Sequence, residues 1–273
     1  WEIQLIDTPL LQRLRGISQL GMASLTYPAA RHSRYEHSLG TVAIASRMAE
    51  KLLNEKAFSG LSYQPGEEVL YLVRLAALLH DVGHCAYSHL SETVYGNLPE
   101  FLQLQAYLRA CYGADFSAKP HEIFSYLILT SNAFYRFFSE WIDYPKKEET
   151  DCRELLLSAA KMVVGVDNFL SVGGKTYRLS FLTDILNGDF DADKLDYTQR
   201  DSYTAGIAMT YGVERFLMKL VVMKKETDGY TDIRLAMRGD SMVTVEELLF
   251  NRSVLYHYMY RHKKVLATEA VIR

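Results

Sequence analysis

The sequence predicts a mainly α-helical fold with minor β-hairpins. Apolar residues recur at three- and four-residue spacing through most of the 273 positions. Strand-like patterning is confined to two short stretches, each built around a glycine turn. The composition, 49% hydrophobic and 23% charged, is that of a globular chain long enough to bury a sizeable core.

Taken in order, "PLLQRLRGISQLG" reads as a helix that opens with Pro9 in its first turn and closes on Gly21. "YEHSLGTVAIASRMAEKLLNE" and "EEVLYLVRLAALLHDVGH" both carry the helical period, the second with Gly83 as its terminator. Further helices are expected over 120–131, 133–142, 151–164, 179–187, 191–204, 211–223 and 243–268. The hairpins are "FLSVGGKTYRL", turning at Gly173-Gly174, and "LVVMKKETDGYTDIRLAMR", turning at Asp228-Gly229. Residues 94–119 show neither period and read as an irregular insertion.

Several classes are set aside by composition. The net charge of −3 supplies no basic field, so nucleic acid is not expected as the main partner. No apolar run reaches the ~18 residues of a membrane span, and no secretory leader is visible. The chain begins at Trp1 and ends at Arg273, both inside helix-like patterns, and reads as a fragment whose native termini lie elsewhere. Cys85, Cys111 and Cys152 are odd in number and lack paired spacing, which fits a reducing compartment, cytoplasmic with a nuclear one left open. Cys85 is expected to be a small buried thiol.

The chemistry concentrates in three stretches. "LLHDVGHCAYSH", residues 78–89, places three of the eight histidines within ten positions behind an apolar run. Adjacent His80 and Asp81 diverge by about 100° on a helix and can meet one ion only at the helix end. His84 then points back toward the same region. "RHSRYEHSLG", residues 31–40, adds Arg34 one turn before His37. In "DADKLDYTQRD", residues 191–201, Asp193, Tyr197 and Asp201 fall at i, i+4 and i+8 on one face, with Lys194 adjacent. Any of these alone has an ordinary explanation: a satisfied helix-end pair, or a solvated acidic face. Together, His37, His80, Asp81 and Asp193 make a donor set of two imidazoles and two carboxylates suited to Fe, Mn, Zn or Ni rather than Ca. Such a metal would polarise a phosphoryl group and acidify a bound water, with Arg34 and Lys194 offsetting phosphate charge.

At these residues the chain resembles the HD-domain superfamily of metal phosphohydrolases, whose ordered pattern H…HD…D is present as His37, His80-Asp81 and Asp193. The flanking motifs "IDTPLLQRLRGISQLG", "YPAARHSRYEHSLG", "LLHDVGHCAYSH", "DADKLDYTQRDSYTAGI" and "YRHK" are similar to those of the deoxynucleoside triphosphate triphosphohydrolases, including the subgroup with a sterile alpha motif. The resemblance implies an HD-domain helical core. It implies one domain over residues 1–273, with a catalytic core at about 10–210 and a C-terminal hairpin and helix, about 211–273, completing the site.

It further implies that His37, His80, Asp81 and Asp193 ligate the metal, and that Mg2+ accompanies the substrate triphosphate. His89 would be the acid/base residue near the α-phosphate, with His84 and His121 facing the phosphates. Glu92 stands where the family carries an Asp supporting His89. Arg34, Lys194, Tyr197 and Arg252 would hold the triphosphate, Gln19 and Asp201 the sugar 3′-OH. Leu20 and Tyr260 would pack against the sugar and exclude a ribose 2′-OH, a discrimination that a tight wall can enforce. Tyr256 stands where similar members of that subgroup carry a His. An activating nucleotide would be read by Asp7, Gln12 and Arg15, although Asp7 also suits a helix cap and Arg15 a solvated face. Relatives assemble, so a homo-oligomer is expected.

The activity so implied is hydrolysis of deoxynucleoside triphosphates at the α-phosphate. Two alternatives stay open: another HD phosphohydrolase, such as a nucleotidase or phosphodiesterase, and a non-catalytic nucleotide sensor or scaffold.

Overall fold

In the computed structural model the structure describes residues 1–54, 58–145, 151–209 and 212–272. The chain opens with two short helices, α1 (Glu2–Ile6) and α2 (Pro9–Gln12), and then forms α3 (Arg34–Leu53) and α4 (Glu67–Leu79). Next come α5 (His89–Tyr95), α6 (Pro99–Tyr112), α7 (Pro120–Thr130), α8 (Asn132–Trp141) and α9 (Cys152–Val163). A hairpin, β1 (Phe169–Val172) and β2 (Lys175–Arg178), leads to α10 (Ser180–Asn187), α11 (Ala192–Ala205) and α12 (Val213–Lys219). A second hairpin, β3 (Leu220–Thr227) and β4 (Tyr230–Met237), precedes α13 (Met242–Leu255) and α14 (Lys263–Ile272). The mainly α class with minor hairpins is what is found.

The apolar faces of α3 and α4 pack on each other, and α9, α10 and α11 complete the layer around them. Their shared core buries Met48, Leu52, Leu75, Leu78, Leu79, Phe138 and Phe181 to 1% exposure or less. Burying such side chains contributes about 1.5–3 kcal/mol each before conformational entropy is counted. It fixes α3, α4 and α11 as the rigid support of the functional residues.

Five expectations need correction. The run from Pro9 to Gly21 is not one helix: after α2 the chain tightens into a narrow turn at Arg13–Gly16, and a second such turn follows at Gly21–Leu25. Between them Ser18 pairs with Ser33 as an isolated β-bridge, which ties this segment to the start of α3 and overrides its helical period. Residues 94–119 are not irregular: α6 lies within them, and Phe101 and Leu108 pack with Phe116 and Ile123 in a small core of their own. The helix expected over 211–223 gives way to strand after Lys219, because Leu220 onward pairs with β4; Tyr211 lies outside the described residues, as does Glu55 at the end of the α3 pattern. The helix expected over 243–268 is interrupted at Tyr256–Tyr260 by a wide turn in which Arg261 N–H donates to the Tyr256 carbonyl. Finally, Cys85 is only half-buried; Cys152 is the buried thiol.

The two hairpins also join. β2 and β4 pair in parallel at Tyr177–Thr231 and Arg178–Asp232, giving one sheet ordered β1-β2-β4-β3. Among the described residues no helix is long and apolar enough to cross a membrane.

Candidate active site

Three helix ends build the site. Ser33 and Glu36 form a reciprocal capping box that starts α3 at Arg34, so Arg34 and His37 stand one turn apart on the same face. Helix α4 stops at Leu79 with His80 as its cap residue, and that stop releases His80 and Asp81 to converge. Gly83 is not the terminator. Its missing Cβ leaves room for the His121 carbonyl and the Ser125 amide of α7, which press against it. Ser125 Oγ accepts from Gly83 N–H at 2.8 Å and donates to the His80 carbonyl at 2.6 Å, while Arg13 donates to the carbonyls of Val82 and His84. The turn from 80 to 84 is therefore pinned from two sides.

The third end is α11. Asp191 caps it by accepting from Lys194 N–H at 2.7 Å, and the helix then aims Asp193, Tyr197 and Asp201 at the cavity. Gly40 of α3 allows this approach, since a side chain there would strike Asp196 and Arg200.

The four expected ligands converge. His37 Nε2 lies 2.9 Å from Asp193 Oδ1 and 3.8 Å from Asp81 Oδ2; His80 Nε2 lies 3.4 Å from Asp81 Oδ1. One ligand atom each from His37, His80 and Asp193 fall within 4.8 Å of one another. The Nδ1 atoms are already used. His80 Nδ1–H donates to the Ala77 carbonyl at 2.7 Å, and His37 Nδ1–H to Asp196 Oδ2 at 2.8 Å. Both Nε2 atoms are buried without a hydrogen-bond partner. A buried polar atom left so is costly, and an imidazole lone pair facing carboxylates is what a divalent cation requires.

The electrostatics agree. Burial opposes charge on His37, but Asp193, Asp196 and Asp81 outweigh it and push the imidazole up to about 10. Burial likewise opposes ionisation of Asp81, yet Arg34, His80 and His84 hold its carboxyl well below the usual range. Without a metal, a proton on His37 supplies the positive charge that these carboxylates demand. The residues therefore fit a divalent metal held by His37, His80, Asp81 and Asp193.

A second cluster adjoins the first. Glu92 Oε1 accepts from His89 Nδ1 at 2.8 Å and from His121 Nδ1 at 2.7 Å, and lies 3.7 Å from His84 Nδ1. His84 is fully buried and stacks on His121, ring centroids 3.9 Å apart. Burial, reinforced by Arg34, holds the His84 imidazole well below its usual range. Desolvation pushes His89 down as well, with Arg34 and His121 adding to it and Glu92 opposing. The Glu in the place of the family's Asp thus reaches two rings at once. His84, His89, Glu92 and His121 also have metal-compatible spacing, but one carboxylate already takes two of their N–H groups.

Both clusters border a cavity of about 370 Å3. Arg34, Lys194, Tyr197, Arg252, Gln19, Leu20, Asp201 and Tyr260 all line it. Arg34 Nη1 donates to Asp81 at 2.7 Å, and its Nε and Nη2 donate to Ser88 Oγ. Ser88 does this from a left-handed backbone, φ 52°, a strained geometry for a residue with a Cβ. Lys194 Nζ is folded onto Asp191 at 2.5 Å and the Gly188 carbonyl at 2.6 Å. Arg252 Nε donates to Tyr197 Oη at 2.9 Å. Gln19 Oε1 is buried with no partner. Asp201 is held on both oxygens, by Tyr260 Oη at 2.5 Å and His32 Nε2 at 2.8 Å. The wide turn before Arg261 sets Tyr256 and Tyr260 edge to face, centroids 5.0 Å apart.

Asp7, Gln12 and Arg15 are not part of this cavity. Arg15 donates to Gln12 Oε1 at 2.8 Å and lies over the Tyr35 ring, whereas Asp7 ends α1, exposed and without a hydrogen bond to that pair. Sequence reasoning overlooked His32, Ser88, Lys119, Asp191 and Asp196. Two signals were available: His32 lies in the same quoted stretch as His37, and Asp196 follows Asp193 by one turn.

A model of the HD domain family matches residues 34–160. The chain is 30% identical to an uncharacterized protein of Methanocaldococcus jannaschii over 100% of its length and 45% of that protein. It is 28% identical to an uncharacterized protein of Bacillus subtilis over 98% of this chain and 49% of the other. With the deoxynucleoside triphosphate triphosphohydrolase of Homo sapiens the identity is 27%, over 96% of this chain and 39% of the other. The chain thus spans less than half the length of these curated relatives. A crystal structure of a hypothetical protein from Aquifex aeolicus superposes with a TM-score of 0.66 at 25% identity, covering 97% of this chain and 56% of that one.

Proposed function

From the premise that the chain carries an HD domain and belongs with the HD phosphohydrolases, we propose that it hydrolyses deoxynucleoside triphosphates to deoxynucleoside and inorganic triphosphate. The observation that carries this reading is the pair of buried Nε2 atoms of His37 and His80, facing Asp81 and Asp193 beside a cavity lined by Arg34, Lys194 and Arg252 together with Gln19, Asp201 and Tyr260. The relative whose name states this activity adds support.

His37, His80, Asp81 and Asp193 would hold the metal, which when bound supplies Lewis-acid polarisation of the phosphoryl group and an acidified water. Arg34, fixed by Asp81 and Ser88, orients the α-phosphate. Water adds to the α-phosphorus as the P–O5′ bond breaks. His89, neutral with its Nδ1–H on Glu92, would accept the attacking water's proton on Nε2 and pass it to O5′, which leaves as a hydroxyl. The sugar 3′-OH would donate to Gln19 Oε1, which has no partner of its own, beside the Asp201 carboxylate that Tyr260 and His32 hold in place. Leu20 and Tyr260 close on the 2′ position. Lys194 turns from Asp191 to the phosphates when substrate enters, and Arg252 and Tyr197 complete their grip. Mg2+ travels with the triphosphate. A homo-oligomer, and an activating nucleotide at Asp7, Gln12 and Arg15, belong to the same proposal; titrating turnover with GTP or dGTP tests the second.

Product analysis tests the core of it. Metal-loaded protein is given dNTPs, NTPs and bis(p-nitrophenyl) phosphate. Inorganic triphosphate from dNTPs alone is expected. Orthophosphate or pyrophosphate would point to another HD phosphohydrolase, and binding without turnover to a sensor.

A further inference from the structure

The phosphate side of the cavity contains a lysine that the motifs do not assign. Lys119 lines the cavity with Arg34, His89, His121 and Lys194. It immediately precedes Pro120 at the start of α7, and its backbone N–H donates to Glu122 Oε2 at 2.7 Å, so its main chain is fixed. Its side chain is 59% exposed, whereas that of Arg34 is 3% exposed.

The other cations are already engaged. Arg34 donates to Asp81 and Ser88, Lys194 to Asp191 and the Gly188 carbonyl, and Arg252 to Tyr197, so each must share or exchange a bond to hold phosphate. Among the described residues the ion pair of Lys119 Nζ is to Glu122 Oε1 at 3.4 Å, and that carboxylate is also held by the Lys119 backbone. An exposed ammonium on a long unbranched stem can adjust to a polyanion more readily than the buried, doubly hydrogen-bonded guanidinium of Arg34. Glu122, Asp193 and Asp191 hold Lys119 above its ordinary range, so its ammonium stays charged.

We propose that Lys119 binds the distal phosphates of the substrate, so that the cavity reads the length of the polyphosphate as well as its α-phosphate. This rests on the triphosphate reading above. The arrangement would favour triphosphates over monophosphates without contact to the bond that breaks.

The test is calorimetric titration of the full, metal-loaded chain with inorganic triphosphate and, separately, orthophosphate. Lys119→Met is expected to weaken inorganic triphosphate about tenfold, the loss of one charge-assisted contact, with orthophosphate unchanged and Lys119→Arg restoring most of the affinity. In turnover KM for a dNTP rises by a similar factor and kcat stays within about twofold, the signature of lost ground-state binding. Metal content and Tm should match the unsubstituted chain. Unchanged triphosphate affinity in Lys119→Met, or equal weakening of both anions, overturns the proposal alone. If the unsubstituted chain does not bind triphosphate, the parent reading falls and takes this one with it.

Discussion

Two clusters of histidines and carboxylates lie side by side in this chain, opposite in wiring. In the first, His37 and His80 spend their Nδ1 protons outward, on Asp196 and the Ala77 carbonyl, and turn their Nε2 atoms toward Asp81 and Asp193. In the second, His89 and His121 spend theirs inward, on the single carboxylate of Glu92. The direction of the Nδ1 hydrogen bond decides what each ring offers. Lone pairs converging on carboxylates suit a cation; rings tethered to one shared acceptor suit proton traffic. Residue type alone does not separate the two.

The largest effects should fall on the first cluster. His80→Ala or Asp81→Ala is expected to lose bound metal and reduce turnover to background, measured by metal analysis and product assay on the same sample. Chelation of the unsubstituted chain should do the same, reversibly. His89→Ala sharpens the contrast: it should keep its metal yet lose about 10²–10⁴-fold in turnover. If His89→Ala also loses the metal, the two clusters are one, and the distinction drawn from their wiring is wrong.

Smaller effects follow from the partners. Glu92→Gln keeps a hydrogen-bond acceptor but removes the charge shared by His89 and His121, so a loss of about 10–100-fold in turnover with metal content unchanged is expected. Asp196→Asn acts on the other side: it weakens the acceptor behind His37 and should lower metal affinity about tenfold, with full occupancy recovered at high metal. A chain in which Glu92→Gln lowered metal affinity and Asp196→Asn did not would invert the comparison.

The two clusters were also unequally legible. The metal residues could be read because H…HD…D fixes their order, and because the apolar period of α4 predicts a helix that must end near His80. The partners could not, because they depend on close approach between helices distant in sequence. Asp196 reaches His37 only where Gly40 lets α11 lie against α3, and His121 reaches Glu92 only where Gly83 lets α7 press on the 80–84 turn. The same holds for the fold. Both hairpins announce themselves through their glycine turns, but their parallel join at Tyr177–Thr231 has no local signal. Helix α6 was missed because only Phe101 and Leu108 of its fourteen residues are buried, too few to set a period. The wide turn at Tyr256–Tyr260, which delivers Tyr260 to Asp201, carries no glycine or proline to mark it.

The smallest effect is the most direct reading of the wiring, because it follows a proton. Without metal, the carboxylates around His37 hold a proton on the ring up to about pH 10, where an ordinary imidazole loses it near 6.5. The raised value means that this group stabilises the metal-free fold fully below pH 6.5 and ceases to do so as pH climbs through about 10. A metal must displace that proton, so its apparent affinity should rise with pH over the same interval, with about one proton released per metal bound from this ring. Calorimetry at pH 8 in two buffers of different ionisation enthalpy measures the count, and Tm against pH should fall toward pH 10 for the metal-free chain and stay flatter for the loaded one. His89→Ala should leave the count unchanged, since its ring gives its proton to Glu92 whether or not the neighbouring cluster is filled. A proton count that falls in His89→Ala would mean that the displaced proton comes from the second cluster and that His37 is not the group charged before the metal arrives.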